Sequence, residues 1–117
     1  MRTIIAGGRD CYSKFVLQRA FQDCGWKPTV VLCGGASGAD ALGRDWAEDN
    51  DIPVELYPAE WEKRGKSAGF FRNIQMGEKA EALIALWDGR SKGTAHMIKV
   101  ARSRHLRVFI QYYGEEE

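Results

Sequence analysis

Four short stretches carry the residues that could do chemistry. The first, Gly7-Gly8-Arg9-Asp10, sets a cation and a carboxylate directly after two glycines. The second, Gly34-Gly35-Ala36-Ser37-Gly38-Ala39-Asp40, follows the apolar run Thr29 to Cys33. It precedes Ala39, Leu42, Gly43, Trp46 and Ala47 at helical spacing. Strand, glycine turn and helix in that order leave the N–H groups of a first helical turn facing the loop, where they favour an anion, most often a phosphate. Glycines let a ligand approach the main chain with no Cβ in the way. Ser37 and Asp40 match the capping-box pattern, which predicts a helix from Ser37 to about Asn50. The pattern is neither the P-loop nor GxGxxG, and a tight capped turn without a ligand satisfies it as well. The third stretch is Arg72-Asn73, beside Phe70-Phe71. The fourth is Asp88-Gly89-Arg90-Ser91-Lys92-Gly93-Thr94, a second glycine-bearing turn ahead of a helix.

Each residue has a functional and a plain reading. Arg9 could grip a phosphate bidentately or lie on the surface. Asp10 and Asp40 do not suit a phosphate; they could bind ribose hydroxyls or cap their helices, and capping is the stronger reading for Asp40. Asp88, at the end of an apolar strand, needs a partner there, either a ligand or loop amides. Ser91, Gly93 and Thr94 could hold a second phosphate, or Ser91 could be an N-cap. Asn73 shares a helical face with Phe70 and Gly77, so its amide calls for a base, a ribose or a buried structural bond. Trp61 and Trp87 could stack a nucleobase, although Trp87 reads more readily as core. Lys63, Arg64 and Lys66 could form a mobile flap over the site or a solvated loop. His96 reads as an exposed helix residue.

Those stretches must be held by elements. The 117 residues allow one domain with one core, and 44% hydrophobic with 28% charged residues is ordinary for a soluble globular chain. No apolar run reaches membrane-span length, and the short apolar N-terminus reads as a first strand, so a cytoplasmic protein is expected. Cys11, Cys24 and Cys33 have no CxxC spacing and fit reduced thiols. With only two histidines, no metal site is expected, and no cofactor. A net charge of +1 argues against nucleic acid as a partner. Exposed aromatics would permit a homodimer.

Strands are expected at Arg2–Ala6, Thr29–Cys33, Ile52–Tyr57, Ala82–Trp87 and Leu106–Gln111. Helices are expected around Leu17–Cys24, Ser37–Asn50, Gly69–Gly77 and from Thr94 past Ala101, with a polar, basic connection from Ala59 to Ala68 that could start with a short helical turn. Alternating strands and helices predict an α/β fold: one Rossmann-like three-layer domain over residues 1–113 with a five-stranded, mainly parallel sheet, order 3-2-1-4-5. Residues 114–117 would be an acidic disordered tail. Ligands bind such sheets outside the carboxyl ends of the strands, where the order reverses. The loops after strands one and four meet there and the loop after strand two lies alongside, so Gly7, Gly8, Arg9, Asp10, Gly34, Gly35, Ala36, Ser37, Gly38, Asp40, Asp88, Gly89, Ser91, Gly93 and Thr94 converge on one edge, with Arg72 and Asn73 nearby. The second loop's part is phosphate contact through amides and Ser37.

With these motifs in view, the chain resembles the SLOG superfamily of Rossmann-like nucleotide-binding domains, and most closely its YspA-like, cpYpsA-related branch, seen in bacteria and phages. The resemblance implies binding of a nucleotide or a derivative such as an ADP-ribose-like molecule, by phosphate contacts at the glycine loops, as a sensor or ligand-binding protein. Two related groups imply alternatives. The cytokinin-activating "lonely guy" enzymes are nucleoside-monophosphate N-glycosidases that use an arginine and a glutamate of a Gly-Gly-x-Gly-Thr-x-x-Glu pattern. Here Gly93-Thr94-Ala95-His96 is followed by Met97, so Asp88 and Arg72 are the candidates for catalysis. The DNA-processing protein of natural transformation implies a single-stranded DNA binder, the third reading.

Overall fold

A computed structural model describes residues 1–114. Five strands, β1 (Arg2–Gly7), β2 (Val30–Cys33), β3 (Val54–Leu56), β4 (Ala82–Trp87) and β5 (Arg107–Tyr112), form one sheet in the order β3-β2-β1-β4-β5, and every pairing is parallel. The central strand β4 is apolar throughout, and β1 is apolar from Ile4 to Ala6, because both faces of the sheet are covered. Side chains alternate across a strand, so Ile4 and Ile5, both fully buried, enter different cores. Ile4 joins Leu32, Leu83, Met76 and Met97 on one face; Ile5 joins Val31, Ile84, Leu17 and Ala47 on the other. Helices α1 (Lys14–Asp23) and α2 (Ala39–Asp49) supply the second core, and α4 (Ala68–Lys79) and α5 (Lys92–Ser103) the first. The expected fold class and strand order hold. The expected acidic tail falls mostly on residues 115–117, outside the described residues.

One short element is as expected, and the start of one helix differs. The connection after β3 is ordered as a short helix, α3 (Trp61–Arg64), and a 3₁₀ turn (Gly65–Ser67) that runs into α4. Arg64 fixes it. Its Nε lies 3.2 Å from Glu60 Oε1, and its guanidinium lies over Phe71, 4.2 Å from the ring centroid. The difference is the start of α2. The helix begins at Ala39, not Ser37, its N-cap is Gly38, and no side chain caps it. The cause is non-local. Gly38 adopts φ +76°, and a Cβ there would run into the carbonyls of Gly8 and Arg9. Only glycine lets the β1–α1 loop come that close. The Ala39 N–H then donates to Gly8 O at 3.1 Å, so a tertiary acceptor takes the place of the predicted capping box. Among the described residues no helix is long and apolar enough to cross a membrane.

Candidate functional site

A cleft of about 470 Å³ opens at the carboxyl ends of β1 and β4, where the strand order reverses. Its floor and one wall are the β1–α1 loop: Gly7, Gly8, Arg9 and Asp10 all line it. This loop is fastened on several sides. Gly8 N donates to Leu86 O (3.2 Å), and Gly8 O accepts from Cys11 N and Ala39 N. The Tyr113 hydroxyl donates to Asp10 Oδ1 at 2.7 Å, joining the loop to the end of β5. Burial, and then Asp10 itself, push the Tyr113 pKa up, so this donor keeps its proton. Arg9 is exposed and makes no hydrogen bond or ion pair among the described residues.

The β2–α2 loop contributes Ala36 and Asp40, whereas Gly34, Gly35, Ser37 and Gly38 do not line the cleft. Asp40 is 7% exposed, and its Oδ2 accepts from Ala36 N at 3.1 Å. Burial raises its pKa, against the opposing pull of the Ala36 amide and of Arg72. Burial also pushes the Cys33 thiol up to about 11, so it is no nucleophile at neutral pH. The Ala36 and Ala39 N–H groups are therefore already spent on protein acceptors.

Arg72 and Asn73, on the first turns of α4, tie two loops together. Arg72 Nη1 donates to Gly34 O (2.9 Å) and its Nε to Asn73 Oδ1 (3.2 Å). The guanidinium occupies the space a Gly34 Cβ would need, so that glycine serves an internal close approach. Asn73 is 5% exposed; its Nδ2 donates to Gly93 O (3.3 Å) and lies 3.1 Å from His96 Nδ1. Asn73 makes buried structural bonds, and both it and Arg72 also line the cleft. The expectation of an exposed His96 is corrected: its ring is half-buried and stacked on Phe70 (centroids 4.2 Å), and burial lowers its pKa, which favours the neutral ring as acceptor for Asn73.

The β4–α5 turn supplies Asp88, Ser91, Gly93 and Thr94; Gly89 lies outside the lining. Asp88 Oδ1 accepts from Arg90 N and Ser91 N, both at 2.8 Å, and these amides hold its carboxyl below the usual range. Ser91 is the N-cap of α5, its Oγ accepting from Thr94 N (3.4 Å). Trp87 Nε1 donates to Ser91 O (3.1 Å) and its ring packs on the core, so it faces no ligand. Both candidates for catalysis thus already hold loop atoms. The remaining wall is Trp61, Lys66, Gly69 and Phe70, with Met76 and Met97 below. Lys66 belongs to the basic trio considered as a flap over the site, and Phe70 carries no ligand role in the sequence reading. The signal for them was the aromatic and basic composition of residues 61–71.

The model of the YspA, cpYpsA-related SLOG family matches residues 1–63. The Gene 61 protein of Mycobacterium phage D29 is 40% identical over 85 residues, 68% of each chain. DNA processing protein A (DprA) from Streptococcus pneumoniae shares the fold, with a TM-score of 0.71 over 93% of this chain at 16% identity. The present chain spans 49% of that DprA chain, about half its length. That likeness corrects one expectation. The same fold serves a DNA processing protein, so a near-neutral charge does not argue nucleic acid away as a partner. Matched over more than half its length by the family model, the chain belongs to the YspA, cpYpsA-related SLOG family.

Proposed function

We propose that the chain binds a nucleotide or nucleotide derivative, ADP-ribose-like in character, in this cleft, as a sensor or ligand-binding protein of the cytoplasm. One observation carries the reading. Arg9 and Lys66 line a nucleotide-sized cleft floored by Gly7 and Gly8, and neither has a hydrogen-bond or ion-pair partner among the described residues. Two unpaired cations over a glycine floor suit a phosphate. Gly93 and the start of α5 offer a second contact point on the facing wall. The three free, buried cysteines suit a reducing compartment.

A phosphoribohydrolase has less support. Met97 stands at the position of that pattern's glutamate and lines the cleft, 1% exposed. Asp88 is bound to loop amides, Asp40 to Ala36 N and Asp10 to Tyr113, so each carboxylate already has a partner. The third reading, single-stranded DNA, draws on the fold shared with a DNA processing protein. Two experiments separate the three. Chromatography after incubation with nucleoside monophosphates should show no free base; base release that Asp88→Ala abolishes would establish the enzyme. Competition between ADP-ribose and a labelled oligonucleotide should show the nucleotide bound in its own right. Binding of the oligonucleotide alone would favour the DNA reading.

A further inference from the structure

We propose that Trp61 is the platform for the ligand's aromatic base, which makes the ligand a true nucleotide and not a sugar phosphate; this rests on the nucleotide reading above. Trp61 opens α3 and lines the cleft, yet 51% of it is exposed. A large indole left half in water on a cleft wall is a surface that stacking would cover. The ring is presented firmly. Arg64 and Lys63 N–H groups both donate to Glu60 O, and Arg64 is held by the Glu60 carboxylate and the Phe71 ring, so α3 is fastened to α4. The indole edge rests beside Gly69, 3.8 Å from where a Cβ would stand, with no side chain between the ring and the backbone of α4.

The surroundings offer a base Trp61 and Phe70 on this wall, where Lys66 also stands, and offer a phosphate Arg9 on a different loop. Phe70 continues the aromatic wall, 47% exposed, with His96 stacked behind it. Arg9 comes from the separate β1–α1 loop. The cleft therefore has an aromatic wall and a cationic loop, the two chemistries that a base and a phosphate demand together. Trp87, the other tryptophan considered for stacking, is engaged with Ser91 O and with the core.

The test is calorimetric titration of AMP and of ribose 5-phosphate into wild type and four variants. Wild type should bind AMP about tenfold more tightly than ribose 5-phosphate, the scale of one stacked base. Trp61→Ala and Trp61→Leu should bring AMP down to the ribose 5-phosphate level and leave the latter unchanged. Trp61→Phe should keep most of the preference, since stacking and not bulk is required. Arg9→Ala should weaken both ligands alike. If both bind and the Trp61 variants leave their ratio unchanged, the base platform is wrong while the nucleotide cleft stands. If neither ligand binds wild type at millimolar concentration, the cleft reading fails and this inference with it.

Discussion

Asp88 shapes the β4–α5 turn with a single carboxylate oxygen. Because Oδ1 takes two amides, its pKa lies below the ordinary carboxylate value. A carboxylate depressed on folding stabilises the protein above its unfolded pKa of about 3.9, and that contribution is lost as pH falls through the folded value. Asp88→Asn should therefore be less stable than wild type at pH 7, by on the order of 1 kcal/mol. The gap in melting temperature should close as pH falls below about 4; a gap independent of pH would mean the charge does nothing for the turn. The glycines of the β2–α2 loop differ in the same concrete way. Gly38 and Gly35 both have positive φ, but only at Gly38 would a Cβ meet the main chain, at the Gly8 and Arg9 carbonyls. In urea denaturation Gly35→Ala should cost about 1 kcal/mol, the backbone term alone. Gly38→Ala should cost clearly more, because it also pushes the β1–α1 loop away from α2. Equal losses would place the two loops further apart than described.

Among the elements, α4 does more than cover the sheet. Its Arg72-Asn73 pair reaches Gly34 on the β2–α2 loop and Gly93 at the start of α5. Asn73→Ala would leave the Gly93 carbonyl and the His96 ring nitrogen without this donor. It should lower unfolding free energy by about 1–3 kcal/mol in urea, and a change within error would assign the brace to other contacts. None of this could be read from local pattern. The strands were legible because a central strand covered on both faces leaves an unbroken apolar run, as from Ala82 to Leu86, all fully buried. The helices were legible from 3.6-residue spacing, and the strand order from chirality and the alternation of elements. The start of α2 was misread because the Ser37–Asp40 pattern is local, while the deciding acceptor, Gly8 O, lies some thirty residues away in the chain. The same holds for Asn73 and His96, which meet only when α4 packs on α5. The Trp61–Lys66 wall was named only in part because α3 is too short to show a period.

Across the whole molecule, a net charge of +1 averages over an uneven distribution. Arg9 and Lys66 stand on the cleft without hydrogen-bond or ion-pair partners among the described residues, Asp40 is buried beneath its loop, and Asp88 is turned onto amides. Whole-chain charge is a poor guide to partners when the free cations gather at one place, and the fold shared with a DNA processing protein makes the same point. What the sheet contributes is position. The reversal of strand order between β1 and β4 brings loops from distant parts of the chain to one cleft, and the family assignment rests on a stretch that contains two of them. The central claim is that this cleft holds the phosphates of a nucleotide through Arg9. Calorimetric titration of ADP-ribose into wild type and Arg9→Ala tests it most directly. Saturable binding to wild type, weakened about tenfold or more in the variant, is the predicted result. Binding that Arg9→Ala leaves unchanged, or no binding at millimolar ligand, would contradict it.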